Sequence, residues 1–260
     1  MDARAIALIA AAALLGVLAY LWWRAHTVAA QLRQRLETAA MELQRLQISF
    51  ARFAPEEVVE RIAASGVPTA AENREVTILF ADLVSFTQLS EQLAPDVLVR
   101  ILNEYFARMS RVITEHRGHV SKFIGDGLLA LFGALEANPW QANDAVRAAL
   151  AMRAELQSYN QVLGTQGLPP LAFGVGVHRG RAVAGIIGSS DLMEFTVIGN
   201  TVNVASRIEH LTREHGVDIL ITDAVRQALD PRFVLHELPA VSIRGISEPM
   251  VTFAVQGFGA

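Results

Sequence analysis

The chain has 260 residues, enough for one well-buried domain with appended segments, because a single core usually occupies about 100–200 residues. Its formal charge of −4 excludes a general attraction to nucleic acid or anionic lipid, so no nucleic acid partner is expected and any phosphate must bind at a local site. The absence of cysteine excludes disulfides and thiolate metal sites.

The N-terminal segment carries no charge over the 19 residues from Ala5 to Trp23. A helix of that length, rising about 1.5 Å per residue, covers a bilayer core of about 30 Å. Three arginines follow, Arg24, Arg33 and Arg35, and the positive-inside rule therefore puts the rest of the chain in the cytoplasm. We expect residues 1–24 to be a single-pass anchor in the cell (inner) membrane. A cleaved signal peptide is the alternative, although the bulky aromatic end of the stretch opposes it.

Residues 25–50 repeat apolar side chains at alternating spacings of four and three. They are Ala25, Ala29, Leu32, Leu36, Ala39, Leu43, Leu46 and Phe50. This is the heptad pattern of a parallel coiled coil, which would pair two chains. The alanines weaken the pattern, so an amphipathic helix lying on its own domain remains the alternative. Residues 51–73 contain the turn-rich run Ser65–Pro68 and are predicted to link this helix to a domain in residues 74–260.

Residues 74–260 alternate strand and helix patterns. The patterns predict a strand at Val76–Ala81, a helix at Pro95–Glu115, strands at His119–Ile124 and Leu128–Phe132, a helix at Trp140–Leu163 and a strand at Leu171–Val177. This βαββαβ order is that of a ferredoxin-like α+β fold, an antiparallel sheet with helices on one face. Further strands and a helix at Val202–Thr212 extend it. No internal repeat is present, so a second copy of any half-site must come from another chain.

Two aspartates stand at exposed ends of these elements. Asp82 closes the first predicted strand, and Asp126 lies in the glycine-bracketed hairpin turn. Mg²⁺ prefers carboxylates together with substrate phosphates, and two such ions about 3.5–4 Å apart can activate an attacking oxygen and neutralise a leaving one. Loop aspartates also cap helices and shape turns. Their positions alone therefore leave both interpretations open.

Three segments, in this order, resemble the motifs of the class III nucleotide cyclases. They are FADLVSFT at residues 80–87, KFIGD at residues 122–126 and TVIGNTVNVASR at residues 196–207. The similarity extends from about Arg74 to Phe253, and the third motif is the most distinctive. The resemblance implies a cyclase catalytic domain in residues 74–260. It also implies an adenylate cyclase, a phosphorus-oxygen lyase that converts ATP into 3′,5′-cyclic AMP and pyrophosphate.

The resemblance assigns roles to individual residues. Two divalent cations, Mg²⁺ or Mn²⁺, would bind at Asp82, Leu83 and Asp126, one lowering the pKa of the ribose 3′-hydroxyl and the other holding the triphosphate. Asn203 and Arg207, one helical turn apart, would orient the ribose and stabilise the transition state. In the family the metal aspartates come from one protomer and the other groups from its partner. A homodimer with shared active sites is therefore implied.

Purine selection falls to Lys122 and Thr196 in the same resemblance. Adenine presents an acceptor at N1 and a donor at its amine, while Lys122 only donates and Thr196 can accept. Guanine presents the reverse pattern and would face Lys122 with an unmatched donor. Guanylate cyclases of the family usually carry an acidic residue at the position of Lys122. Adenine is therefore predicted, and guanylate cyclase activity is the alternative.

The segment after Asp82 is predicted to contact the β- and γ-phosphates through backbone amides, because it leads into a helix start. These amides belong to Leu83, Val84, Ser85, Phe86 and Thr87. The family commonly has glycine where this chain has Ser85, so a positive φ angle there would be strained and catalysis slowed. This departure supports the other alternative, a catalytically silent membrane-bound dimerisation or signalling module. Arg244 is a further candidate for the triphosphate, with an exposed hairpin arginine as the alternative.

Overall fold

The computed structural model describes residues 16, 20, 22–24, 26–27, 31–42, 71–188, 193–242 and 249–259. The chain divides into two compact units, residues 1–59 and 60–260. In the first unit, residues 31–42 form helix with exposed side chains. The predicted anchor and linker lie mostly outside the described residues, and so do residues 25, 28–30 and 43–50 of the predicted coiled coil. Among those that are described, no helix has both the length and the apolar character needed to span a bilayer.

The second unit follows the predicted order of strands and helices and continues beyond it. Its strands are β1 (Glu72–Leu83), β2 (His119–Ile124), β3 (Gly127–Phe132), β4 (Phe173–Gly188), β5 (Met193–Ile198), β6 (Ile219–Thr222), β7 (Phe233–Val241) and β8 (Met250–Phe258). Its helices are α1 (Phe86–Gln92), α2 (Pro95–Glu115), α3 (Gln141–Thr165), α4 (Asn200–His215) and α5 (Asp223–Arg226). The predicted βαββαβ core is confirmed.

The eight described strands form one sheet. Its order is β2-β3-β1-β4-β6-β8-β7, and β5 pairs with β4 outside this path. β1 lies antiparallel to β3 and β4, as predicted, but β4 and β6 are parallel. A parallel pair needs a crossover connection, and α4 lies in the chain between these two strands. The antiparallel pairing expected for the βαββαβ core is confirmed, and the parallel pair joins the core to the added strand β6.

Helices cover both faces of the sheet: the two helices of the predicted core lie on one face, as expected, and α4 lies on the other. Side chains alternate along a strand, so Leu79 and Ala81 of β1 enter the core that α2 and α3 cover. Val76 and Ile78 of β1 belong to the opposite core, which includes residues of α4. Asp82 is in the same alternating set as Ile78. It therefore lies on the α4 face.

Glycines in β4 allow α4 to lie close to the sheet. A Cβ atom at Gly176 would overlap the backbone of Glu209, and one at Gly174 would overlap the side chain of Thr212. Gly174 is also the register partner of Asp82 on β1. The close packing at these glycines therefore brings α4 next to the strand position that carries Asp82.

Candidate active site

Asp82 and Asp126 come together where β1 ends and the β2–β3 turn begins. Gly127 leaves room for them, since a Cβ atom there would lie 2.8 Å from Oδ1 of Asp82. The Leu83 amide lies near the Asp126 carboxylate. Burial, and after it the negative charge of Asp82, raises the pKa of Asp126. The two carboxylates are therefore close enough to repel each other.

This pair fits the divalent cations that the resemblance implies. Two adjacent carboxylates, one of them with a raised pKa, form a place where a cation lowers the electrostatic free energy. Within the described residues no group of three or more His, Asp or Glu side chains is arranged to hold a metal. Substrate phosphates and water would therefore complete the coordination, as Mg²⁺ prefers. The Leu83 N–H can only donate, so a cation at Leu83 would bind the carbonyl oxygen of that residue.

Arg213 of α4 lies against the same carboxylates. Its Nη2 donates to Oδ2 of Asp82 at 2.5 Å and lies 3.4 Å from Oε1 of Glu209. Glu209 is almost completely buried, and no described residue hydrogen-bonds to its Oε1. Burial raises the pKa of the Glu209 carboxyl group. Sequence reasoning missed both residues, although their i,i+4 spacing on one helix was an available signal.

Tyr105 of α2 contributes a neutral hydroxyl group near these charges. The residue is fully buried, and its hydroxyl has no hydrogen-bond partner among the described residues. Burial, and after it the charges of Asp82, Asp126 and Glu209, raises the pKa of Tyr105. In the sequence Tyr105 has the helical spacing of an ordinary core residue, so no pattern distinguished it.

Lys122 and Thr196 lie on β2 and β5, which contact each other. A register shift in β2 falls at Ser121, and the Oγ of Ser121 lies 3.2 Å from the Phe195 carbonyl oxygen and 3.3 Å from Oγ1 of Thr196. The Lys122 ammonium group donates to the carboxylate of Glu194 on β5. The two residues predicted to select the purine therefore lie on neighbouring strands, with Lys122 partly exposed and Thr196 buried. Glu194 was not predicted.

Asn203 and Arg207 both lie on α4. Asn203 is exposed, whereas Nη1 of Arg207 is buried and has no hydrogen-bond partner among the described residues. At 3.6 residues per turn, Arg207 and Arg213 are about 120° apart around the helix. Arg213 lies near Asp126, whose pKa it lowers against the larger effect of burial. Within one chain, α4 therefore directs Arg207 to a different surface from the carboxylates.

The predicted phosphate-binding segment is shorter than expected. The Val84 amide donates to the Ala172 carbonyl oxygen at 2.8 Å, so it is not available to a phosphate. The Leu83 amide lies near the Asp126 carboxylate, whose negative charge disfavours a phosphate at the same place. Phe86 and Thr87 open α1, where the first amides of a helix have no intrahelical acceptor. They and the Ser85 amide remain the candidates for phosphate contact.

Ser85 precedes α1 in a left-handed conformation, with φ 58° and ψ 27°. A side chain is disfavoured there and glycine is not. The positive φ angle that glycine would adopt without strain is therefore present at Ser85. Arg244, the remaining candidate for the triphosphate, lies outside the described residues.

Residues 69–257 match the family described as the adenylate and guanylate cyclase catalytic domain. The adenylate cyclase of Anabaena cylindrica is 36% identical over 232 residues, which is 85% of this chain and 45% of that protein. Adenylate cyclase 1 of Rhizobium meliloti is 34% identical over 211 residues, 80% of this chain and 32% of that protein. Among solved structures, the guanylyl cyclase Cya2 has a TM-score of 0.69 and 36% identity, covering 74% of this chain and 96% of that one.

The chain belongs to the family of adenylate and guanylate cyclase catalytic domains. The family predicted from the three motifs is therefore confirmed. The chain spans less than half of the length of the two curated relatives. Because both adenylate and guanylyl cyclases are similar to it at comparable identity, the purine has to be inferred from the site itself.

Proposed function

We propose that this protein is a homodimeric adenylate cyclase that converts ATP into 3′,5′-cyclic AMP and pyrophosphate with two divalent cations, Mg²⁺ or Mn²⁺. The proposal depends on one observation, the meeting of Asp82 and Asp126 at a sheet edge where burial and mutual repulsion raise the pKa of Asp126. Such a pair is suited to cations that bring a triphosphate with them.

Asp82 and Asp126 would hold the cations, whose chemistry is to lower the pKa of the ribose 3′-hydroxyl and to offset the charge of the triphosphate. The Leu83 amide lies near the Asp126 carboxylate. The amides of Phe86 and Thr87 donate to phosphate oxygens at the start of α1. Asn203 of the partner subunit orients the ribose. Arg207 of the partner subunit donates to the α-phosphate, where negative charge grows in the transition state.

Two chains are needed because the proposed groups of one chain lie on different surfaces. Arg207 lies about 120° around α4 from Arg213, which contacts Asp82, and this position fits a guanidinium that serves the site of another subunit. Phe123, Ile124 and Ile198 are about half exposed (50%, 51% and 54%). They lie close in sequence to Lys122 and Thr196, and a partner subunit would cover them.

ATP is the proposed substrate because Lys122 supplies a donor and Thr196 an acceptor on neighbouring strands, which matches N1 and the amine of adenine. Guanylate cyclase activity is the second candidate, favoured by the 36% identity to the guanylyl cyclase Cya2. Guanine would leave its N1 donor facing the Lys122 ammonium group, at a free-energy cost of about 1–3 kcal/mol for the unpaired group.

For the rest of the chain, we propose that residues 1–24 anchor the protein in the inner membrane with the catalytic domain in the cytoplasm. Residues 25–50 would pair the two chains, and residues 51–73 would link them to the catalytic domain in residues 74–260. The support is the uncharged stretch and the heptad spacing in the sequence. Removal of residues 1–24 should shift the protein from the membrane fraction to the soluble fraction and leave cyclase activity detectable.

The decisive experiment compares purified protein with ATP and with GTP, in Mg²⁺ and in Mn²⁺, with cyclic nucleotide as the readout. We expect a higher kcat/KM for ATP than for GTP. Asp82→Ala and Asp126→Ala should each abolish turnover while the circular dichroism spectrum stays that of the native protein. A preference for GTP would favour the guanylate cyclase, and no product from either nucleotide would favour the silent module.

A further inference from the structure

We propose that Arg213 is an internal cation that occupies the Asp82 carboxylate before a divalent ion binds and moves to Glu209 when the ion arrives. The Arg213–Glu209 pair would thus set the metal affinity of the active site. This inference rests on the proposed function, because it takes Asp82 to be a metal-binding residue.

One guanidinium nitrogen lies within reach of both carboxylates. Nη2 of Arg213 is 2.5 Å from Oδ2 of Asp82 and 3.4 Å from Oε1 of Glu209. A charge-assisted hydrogen bond has a length of about 2.7–2.9 Å, so a shift of less than about 1 Å would exchange the Asp82 bond for one to Glu209. Arg213 and Glu209 are one helical turn apart, and the exchange therefore requires no change in the backbone.

The Oε1 atom of Glu209 is placed to accept a hydrogen bond from Arg213. The Glu209 side chain is only 2% exposed, and no described residue hydrogen-bonds to Oε1. The other oxygen lies 2.9 Å from Nδ1 of His210. A buried carboxylate oxygen without a donor is costly. The missing Cβ of Gly174 leaves the space that Oε1 occupies, since a Cβ there would lie 2.9 Å from it.

Arg213 hydrogen-bonds to Asp82 in the metal-free arrangement and to Glu209 in the metal-bound one. Without metal, Arg213 serves Asp82 and leaves Oε1 of Glu209 without a full hydrogen bond. With a divalent cation on Asp82, the guanidinium is repelled from that carboxylate and Glu209 gains its donor. Arg213 is therefore a competitor of the cation, and Glu209 lowers the free-energy cost of displacing it.

The test measures Mn²⁺ binding directly, by electron paramagnetic resonance of free Mn²⁺, on the full chain without and with a non-hydrolysable ATP analogue. Arg213→Gln removes the competitor and should tighten Mn²⁺ binding by about 3- to 10-fold, the equivalent of losing one partly exposed charge-assisted bond. Glu209→Gln removes the alternative acceptor and should weaken Mn²⁺ binding by a similar factor. Arg111→Gln is the matched control, because Arg111 also lies between two glutamates, Glu115 and Glu155, and it should leave Mn²⁺ binding unchanged.

A double variant separates the exchange from simple long-range electrostatics. If Glu209 acts through Arg213, Glu209→Gln should have little effect once Arg213 has been replaced. In the Arg213→Gln background we therefore expect Glu209→Gln to change Mn²⁺ binding by less than about 2-fold, which is the usual deviation from additivity of two independent substitutions. Additive effects of the two substitutions would overturn the exchange. If Arg213→Gln fails to fold, Arg213→Lys takes its place. Lysine keeps the charge without the guanidinium fork, and an unchanged Mn²⁺ affinity in Arg213→Lys together with an unchanged affinity in Glu209→Gln would also overturn it.

Asp82→Ala distinguishes failure of this inference from failure of the proposed function. If Asp82→Ala leaves Mn²⁺ binding intact, the proposed metal site itself is wrong. If Asp82→Ala abolishes binding while Arg213→Gln weakens it, Arg213 is a permanent support of Asp82 and only the exchange is refuted.

Discussion

Ser85 is, with Arg117, one of two described non-glycine residues with a positive φ angle. Its φ of 58° costs an L-residue about 1–2 kcal/mol, whereas glycine loses about 0.5–1 kcal/mol of unfolded-state entropy. Ser85→Gly should therefore raise the free energy of unfolding by up to about 1 kcal/mol, and Ser85→Ala should leave it nearly unchanged. Urea denaturation of the three proteins checks this. A loss of stability in Ser85→Gly would mean that the serine conformation is not strained.

Glu194 is expected to orient Lys122 for the purine. The ammonium group of Lys122 donates to Glu194, which leaves its other two donors for the base. An ion pair this exposed contributes about 0.2–1 kcal/mol. Glu194→Gln should therefore lower the ratio of kcat/KM for ATP to that for GTP by about 2- to 5-fold, and Lys122→Ala should lower it further. If Glu194→Gln leaves the ratio unchanged while Lys122→Ala lowers it, Glu194 does not position the lysine.

At the scale of elements, the helices and strands with a local sequence signal were predictable, and strand segments that depend on pairing with distant strands were not. α2 has its predicted bounds, Pro95–Glu115, because proline suits the first turn and apolar residues follow at helical spacing. β4 extends to Gly188, beyond the predicted Val177, because its second half has small and charged residues that gain strand structure by pairing with β1 and β5.

The candidate site likewise contains residues that the sequence identified and residues that it did not. The motif residues on β1, β2, β5 and α4 were named from the sequence, because the resemblance assigns them one by one. Arg213 was not, since its partner Asp82 lies 131 positions away and no spacing rule connects them. The close approach of α4 depends on Gly174 and Gly176, whose importance is visible only once the helix is in place.

His178 makes the stability of β4 dependent on pH. Burial lowers the pKa of His178 to about 4, and its Nδ1 lies 2.9 Å from Oγ1 of Thr222. In the unfolded chain the imidazole has a pKa of about 6.5. Between these values the unfolded chain binds more protons, so the stability that is present above about pH 6.5 is lost as the pH falls towards 4. The loss is up to roughly 3 kcal/mol.

The check is thermal unfolding between pH 7 and pH 4.5. His178→Asn should show a smaller decrease in Tm over this range than the unmodified protein, because asparagine takes up no proton. His236→Asn is the control, since His236 is exposed on β7, and its decrease in Tm should match that of the unmodified protein. An equal decrease in all three proteins would show that other groups govern the acid side of the stability curve.

At the scale of the whole molecule, α4 is the element that makes the domain dependent on a partner. One side of α4 carries Glu209 and Arg213 beside the carboxylates of the same chain. Another side, about 120° around the helix, carries Asn203 and Arg207. Under the proposed function each α4 therefore serves two active sites, its own through the first side and that of the partner subunit through the second.

Mixing of two inactive variants tests this division. Asp82→Ala chains lack a metal ligand, and Arg207→Ala chains lack the transition-state arginine, so each homodimer should be inactive. A heterodimer of the two has one site with both residues intact. Random exchange of equal amounts makes about half of the dimers heterodimers, and activity should therefore reach about a quarter of that of the unmodified protein. The matched control is Asp82→Ala mixed with Asp126→Ala: every site then lacks a carboxylate, and no activity should return. Heterodimers that are verified by native mass spectrometry and remain inactive would contradict shared sites, and so would equal recovery in both mixtures.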